Sequence, residues 1–107
     1  METQSSRSLD ERFRSAIQQK RLIQLRYHGR SRVAEPHDYG IHQGTERLFV
    51  FQLRAAGAIS GKNDRGWRLL DVAQIEDCVV LDEAFPGSRG ASHRRHLEWD
   101  VLYARVG

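Results

Sequence analysis

The sequence predicts an α+β domain, a small five-stranded antiparallel barrel with one helix before it and one after it. Three observations predict this class. Apolar residues near the N-terminus recur at helical spacing, short segments in the middle of the chain alternate apolar and polar residues, and turn residues separate those segments. A chain of 107 residues fits one ordinary domain, so residues 1–107 are assigned to a single folded unit.

The first helix is predicted from a capping box at Ser8 to Glu11. In this motif the Ser hydroxyl and the Glu carboxylate each bond an amide that the helix start leaves without a partner. Phe13, Ala16 and Ile17 then fall on one face, as in an amphipathic helix. We expect this helix to end near Lys20.

The first two strands follow directly. Ile23, Leu25 and Tyr27 alternate with polar residues, which is the pattern of a half-buried strand. The second strand is assigned to residues 31–42. Because Pro36 removes one donor from the strand ladder, we expect this strand to be broken or strongly curved.

The remaining strands are predicted around a central one. Residues 48–53 are apolar on both faces, as a buried central strand is. Residues 55–66 are rich in glycine and polar residues, so they are expected to form a loop. The last two strands are assigned to residues 67–72 and 78–81, with a single turn at Ile75 between them.

A closing helix is predicted over residues 92–105. Leu97 and Val101 recur on one face, and Trp99 and Tyr103 lie on an adjacent face. This apolar arc is too wide for a helix that lies free on the surface. We therefore expect it to dock on the barrel or on another subunit.

The charge pattern favours a polyanionic partner. Lys and Arg number 17 against 14 Asp and Glu, which gives a net charge of +3, and the basic residues are mostly Arg. Arginine bonds phosphate through a planar fork and stacks on bases. Basic residues on or beside strands that also carry aromatic residues suit single-stranded nucleic acid, although a solvated polar face explains them as well. The candidate ligand-binding residues are Arg30, Arg32, Gln52, Arg54, Lys62 and Arg68.

Catalytic and metal-binding patterns are not found. The sequence contains no phosphate-binding glycine motif and no zinc spacing, so no cofactor, metal or catalytic residue is predicted. His93 and His96 are three residues apart, but the two arginines between them oppose a cation. Cys78 opens an apolar strand and is expected to be a small buried residue, not a nucleophile. These observations favour a protein that is not an enzyme.

A cytoplasmic location is expected. The N-terminal residues are polar and lack the apolar core of a signal peptide. No apolar run approaches the roughly 20 residues that a membrane-spanning helix needs. The single cysteine excludes an internal disulfide and therefore the secreted, disulfide-rich class.

Several segments stand in an order that is typical of one family. They are Ala16-Ile17-Gln18-Gln19-Lys20, Ile23-Gln24-Leu25-Arg26-Tyr27, Arg32-Val33-Ala34-Glu35-Pro36 with Tyr39, and Trp67-Arg68-Leu69 with Ile75 and Phe85. Over residues 9–85 the chain resembles the WYL-domain family. The resemblance implies an Sm-like, SH3-type barrel that senses ligands in bacterial transcription regulators, with nucleotides or nucleic acids as the suspected ligands.

The chain departs from the family pattern in two places. The Trp-Tyr-Leu tripeptide of the family stands here as Leu48-Phe49-Val50, so the tyrosine hydroxyl is lost. Leu70-Asp71 occupies the places where an acidic and then a basic residue usually stand. Both places belong to the family's polar binding face. Because only a few residues precede the first predicted helix, no helix-turn-helix is expected there, and the resemblance implies a sensor module without a DNA reader.

Two functions are therefore carried forward. The first is a ligand-binding module without catalytic activity that binds a nucleotide or single-stranded nucleic acid and acts in transcriptional or nucleic-acid-linked regulation. The alternative is a protein-interaction module, in which the C-terminal helix mediates homodimerisation or docks on a partner regulator. Trp99 and Tyr103 motivate this alternative, because aromatic residues often anchor interfaces.

Overall fold

The computed structural model describes residues 5–56, 65–90 and 97–107, with side chains from Leu9 onward. Within these ranges it contains one helix, six strands and one short 3-10 turn. The elements are α1 (Ser5–Gln19), β1 (Arg21–Tyr27), β2 (Arg30–His42), β3 (Thr45–Ala55), β4 (Gly66–Asp71), the 3-10 turn (Val72–Gln74), β5 (Ile75–Ala84) and β6 (Val101–Arg105).

All strand pairs of the described sheet are antiparallel, and the strand order is β4-β3-β2-β1-β5. The long strand β2 organises it. β3 pairs with β2 along one edge from Arg32 to His42. On the other edge, β1 pairs with residues 30–34 and β6 pairs with residues 38–41. β2 therefore joins its hairpin partner β1 to the C-terminal strand β6.

Helix α1 covers one face of the sheet and supplies part of the core. Phe13 and Ile17 are buried, and the Phe13 ring meets the Tyr39 ring edge-on with 5.1 Å between the centroids. Arg12 Nη1 donates to the Cys78 backbone carbonyl, which ties the helix to β5. Burial of these apolar side chains is the main stabilising term for such a helix.

The α+β prediction is confirmed in its coarse form, one helix with an antiparallel sheet. Closure into a five-stranded barrel is wrong, because β4 and β5 stand at opposite ends of the strand order without pairing in the described part of the chain. An alternating pattern predicts which segments are strands. Closure depends on strand tilt and stagger, which that pattern does not carry.

The prediction of a helix over residues 92–105 is wrong wherever the structure describes those residues. Residues 97–100 are not helical and Val101–Arg105 form β6. The Asp100 amide donates to the Ile41 carbonyl over 2.7 Å, and the Val106 amide donates to the His37 carbonyl over 2.9 Å. A short segment that is apolar on several sides fits a packed helix and a two-sided strand equally well, so the pattern alone could not decide.

Other boundaries agree more closely. α1 begins at Ser5, three residues before the predicted capping box, and ends at Gln19 with Lys20 in the left-handed region at φ 55°. β2 is continuous, but its pairing with β3 shifts between Val33 and Ala34 and again between Pro36 and Asp38. The expected bend of this strand therefore takes the form of two register shifts and not of a break.

Candidate functional site

Four of the six predicted ligand-binding residues point from β2, β3 and β4 to one face of the sheet. Arg32 lies opposite Leu25 and Arg30 lies opposite Tyr27 in the β1–β2 pair. Directly opposite residues share a face, so both arginines share the face that carries the core. Gln52 lies opposite the buried Ala34, and Arg68 lies opposite the buried Val50. We call Arg30, Arg32, Gln52 and Arg68 the basic cluster.

Arg32 is the centre of the basic cluster. Its Nη1 donates to Gln52 Oε1 over 3.1 Å, and its Nη2 donates to the Tyr27 carbonyl over 3.1 Å. Its guanidinium carbon lies 5.3 Å from the centroid of the Tyr27 ring. Both acceptors are neutral oxygens, so neither contact cancels the positive charge. Arg32 Nε is buried and has no hydrogen-bond partner among the described residues.

The pKa of Arg32 is lowered by its surroundings. Partial burial lowers the pKa of the Arg32 guanidinium from its ordinary value, and the positive charges of Arg30 and Arg68 lower this pKa further. An arginine nevertheless stays protonated in a protein. Three like charges are therefore held in one neighbourhood, which favours the approach of an anion.

The flanking arginines are held by backbone carbonyls. Arg30 Nε donates to the Ala56 carbonyl over 3.1 Å. Arg68 Nη1 donates to the Trp67 carbonyl over 3.0 Å, and Arg68 makes a further interaction within the structure. A carbonyl oxygen orients a guanidinium without neutralising it, so the Arg30 contact positions a positive charge at the end of the sheet where β1 turns into β2.

Two predicted residues do not join the cluster. Arg54 is exposed and lies opposite Val33. Because successive strand residues alternate between faces, Val33 and Arg54 point away from the face that carries Arg32. It is also not among the charges that shift the pKa of Arg32. Lys62 lies outside the described residues.

Aromatic residues divide between the two faces. Tyr27 lies with the basic cluster, and the His28 ring stacks on it with 4.2 Å between centroids. Trp67 lies on the other face, where it stacks on Phe49 at 4.6 Å and meets Phe51 edge-on at 5.2 Å. The conspicuous tryptophan of β4 therefore packs against other aromatic rings, and the tyrosine of β1 is the ring beside the arginines.

Buried ion pairs were missed by the sequence analysis. Glu35 is 5% exposed and accepts from Arg89 Nε and Nη2 over 2.8 and 2.9 Å. Asp38 is 1% exposed and accepts from Arg105 Nε over 2.9 Å. The available signal was two acidic residues three apart, Glu35 and Asp38, on either side of Pro36 in the predicted second strand. These pairs tie the segment after β5 to β2.

No metal site is indicated in the described part of the chain, where no three His, Cys, Asp or Glu residues converge. His93 and His96 lie outside the described residues. Cys78 is fully buried as predicted, and burial raises the pKa of its thiol to about 12. A thiol with such a pKa is a poor nucleophile.

The chemistry that this arrangement offers is the binding of an anion beside an aromatic ring. The basic cluster supplies guanidinium N–H groups, and Tyr27 supplies a ring next to them.

Among the described residues, no helix is long and apolar enough to cross a bilayer. No family model, curated protein or solved structure matches this chain significantly.

Proposed function

We propose that this protein contains a WYL-like module that binds a nucleotide or a single-stranded nucleic acid through the basic cluster. It acts in transcriptional or nucleic-acid-linked regulation without catalysing a reaction itself. The observation that supports this most is the environment of Arg32. Arg30 and Arg68 lie near enough to lower its pKa, while its own hydrogen bonds go to two neutral oxygens.

A phosphate relieves this arrangement in two ways. It offsets the mutual repulsion of the three guanidinium groups, and its oxygens accept the N–H groups of Arg30 and Arg32 that bond no described residue. The unpartnered Nε of Arg32 is one such donor among the described residues. Tyr27 is 8% exposed, and the exposed His28 ring stacks on it, so His28 is the ring that a base would reach beside the charges.

The strand arrangement supports an open, Sm-like form of the proposed family fold. The helix comes first, the strands follow as a meander, and β5 returns to pair with β1. The Tyr27 hydroxyl accepts from the Asp71 amide over 3.1 Å, which joins the end of β4 to the end of β1. This contact holds the aromatic ring of the site in place.

Fluorescence anisotropy tests the proposal directly. Labelled single-stranded DNA, single-stranded RNA and a fluorescent nucleotide are titrated with the protein at low and at physiological salt. We expect binding that weakens as salt rises, because phosphate contacts release counterions. Absence of binding to all three probes at low ionic strength contradicts the proposal.

A matched pair of variants separates the site from overall charge. Arg32→Gln and Arg26→Gln each remove one positive charge, but Arg26 is exposed on the other face of β1 and pairs with Glu76 over 3.1 Å. We expect Arg32→Gln to weaken binding about tenfold and Arg26→Gln to change it less than about twofold. Equal losses of affinity in both variants would indicate diffuse electrostatic attraction and would contradict a specific site at the basic cluster.

A second candidate function is homodimerisation through β6. The exposed large apolar side chains of the described chain number four, and three are consecutive on this strand: Val101, Leu102 and Tyr103. Trp99 packs against the His42 ring with 5.7 Å between centroids, so Tyr103 and not Trp99 is the exposed aromatic. Light scattering of the wild type and of Leu102→Ser tests this candidate, which requires a dimer that the substitution dissociates.

A further inference from the structure

A concave surface lies between α1 and β6, on residues other than those of the basic cluster. This half-open depression has a volume of about 270 Å³. One helix face and one strand line this α1–β6 groove, and its residues are Arg14, Ile17, Gln18, Tyr103, Ala104 and Arg105. Since a closed cavity of about 150 Å³ already holds benzene, the groove has room for one substituted ring.

The groove has an apolar floor and an aromatic wall. Ile17 is 2% exposed and belongs to the core, and Ala104 packs against that core. Tyr103 is 38% exposed, and its ring lies 5.1 Å from the Tyr39 ring. These groups favour a ligand with an apolar body and do not satisfy a strongly hydrated one.

Two guanidinium groups at the groove retain donors. Arg14 bonds both oxygens of Asp10 through Nε alone, each over 3.0 Å, and its guanidinium carbon lies 4.9 Å from the Tyr103 ring centroid. Arg105 bonds Asp38 through Nε and Nη2. Both Nη atoms of Arg14 and the Nη1 of Arg105 make no hydrogen bond to another described residue.

Each guanidinium group is also held in place. Asp10 fixes Arg14 from one side and the Tyr103 ring supports it from another, while the buried Asp38 fixes Arg105. Donors that are already oriented lose little entropy when they bind an anion. The groove therefore combines pre-positioned N–H donors with an apolar floor.

We propose that the α1–β6 groove binds a small aromatic carboxylate. The carboxylate accepts from the free Nη groups of Arg14 and Arg105, and the ring lies on Ile17 and Ala104 beside Tyr103. Such a ligand contacts the first helix and the last strand at once. Its binding therefore stabilises the attachment of β6 to the rest of the fold.

An NMR titration with benzoate tests this proposal on the full chain. A ligand of about ten heavy atoms binds in the millimolar range or somewhat tighter. We expect saturable shifts of the amides of residues 14–18 and 103–105 at up to about 20 mM benzoate, and smaller shifts with the uncharged isostere benzamide. Shifts that grow linearly without saturating, or equal shifts with benzamide, overturn the proposal.

Two variants assign the contact. Arg14→Gln should weaken benzoate binding about tenfold, since it removes a charged bidentate donor, while the loss of its exposed i,i+4 pair with Asp10 should cost little stability. Arg32→Gln in the basic cluster has the same charge change and should leave benzoate binding unaltered. Loss of binding in Arg32→Gln with retention in Arg14→Gln assigns benzoate to the basic cluster and ends the groove proposal, while leaving the proposed function intact.

Discussion

The Arg32 guanidinium donates to the side-chain amide of Gln52 from the neighbouring strand, over 3.1 Å. Gln52 is 3% exposed and Arg32 is half-buried, so this bond is partly shielded from water. A buried carboxylate at the same position would neutralise Arg32 with much the same geometry. The amide instead orients the guanidinium group and leaves its charge available to a ligand.

Replacing this amide by a carboxylate should close the binding site electrostatically. In Gln52→Glu the side chain keeps its shape, and the new charge pairs with Arg32. We expect nucleic-acid binding to fall about tenfold and the slope of log K against log salt to drop by about one. Anisotropy titrations at several salt concentrations measure both quantities.

Gln24→Glu is the matched control for this charge change. Gln24 is exposed on the other face of β1, where its amide lies 3.4 Å from the Ser31 hydroxyl. Gln24→Glu should bind nucleic acid nearly as the wild type does. If both substitutions weaken binding alike, net charge and not the basic cluster governs the affinity.

The Glu35–Arg89 pair should make stability depend on acid pH. Burial alone would raise the pKa of Glu35, but hydrogen bonds from Arg89 and His37 hold it below its ordinary value. A lowered native pKa means that the pair stabilises the fold above the ordinary carboxyl range and that this contribution is lost as pH falls through the native pKa. Urea unfolding across the acid range measures it.

Glu35→Gln should remove that part of the pH dependence. At neutral pH we expect it to lower the free energy of unfolding by about 2 kcal/mol, because a buried charge-assisted bidentate contact is lost. Glu76→Gln, at an exposed residue paired with Arg26, should cost under about 0.5 kcal/mol. An unchanged acid profile in Glu35→Gln contradicts this role for the pair.

Gly40 tests whether the C-terminal segment is a strand on β2. A Cβ added there would lie 2.1 Å from the Val101 carbonyl oxygen and 3.0 Å from the Leu102 Cα. Gly40→Ala should therefore push β6 away and lower the free energy of unfolding by about 2 kcal/mol. Urea unfolding and hydrogen exchange of the β6 amides measure the effect.

Gly107→Ala provides the comparison, because nothing lies within 4 Å of its added Cβ. This variant should unfold as the wild type does. Full stability in Gly40→Ala would mean that residues 101–105 do not pair with β2 as described.

Cys78 should react with thiol reagents only when the chain opens. The side chain is fully buried, and its pKa is raised to about 12 by burial. We expect labelling by a disulfide reagent at mildly alkaline pH to be at least about a hundredfold slower in the native state than in urea. Rapid labelling without denaturant would show that β5 is accessible beside α1.

The sequence predicted five of the six described strands, and their relative placement only in part. Alternation in β1 is local, so Ile23, Leu25 and Tyr27 were assigned correctly to the buried face. Gln52 and Arg54 are two apart, which in a regular strand puts them on the same face. The register shift between Val33 and Ala34 separates them, and a register shift of this kind has no clear mark in the residue pattern.

The C-terminal prediction failed for a different reason. Val101, Leu102 and Tyr103 are consecutive apolar residues that fit a wide helical arc, and the decisive information is the free edge of β2 beside them. That edge becomes available because β1 pairs only with the first part of β2. Such long-range pairing is a tertiary effect, which overrides local preference in short segments.

The central claim concerns one nitrogen, Arg32 Nε, which is buried without a hydrogen-bond partner among the described residues. Nitrogen-detected NMR of the arginine side chains observes it directly during titration with an oligothymidylate of about ten nucleotides at low salt. We predict that the Nε–Hε resonances of Arg30, Arg32 and Arg68 shift along one saturable binding curve, with the largest shift at Arg32. Equal, unsaturated shifts of all the arginine resonances, or no shift of Arg32, would contradict an anion site at the basic cluster.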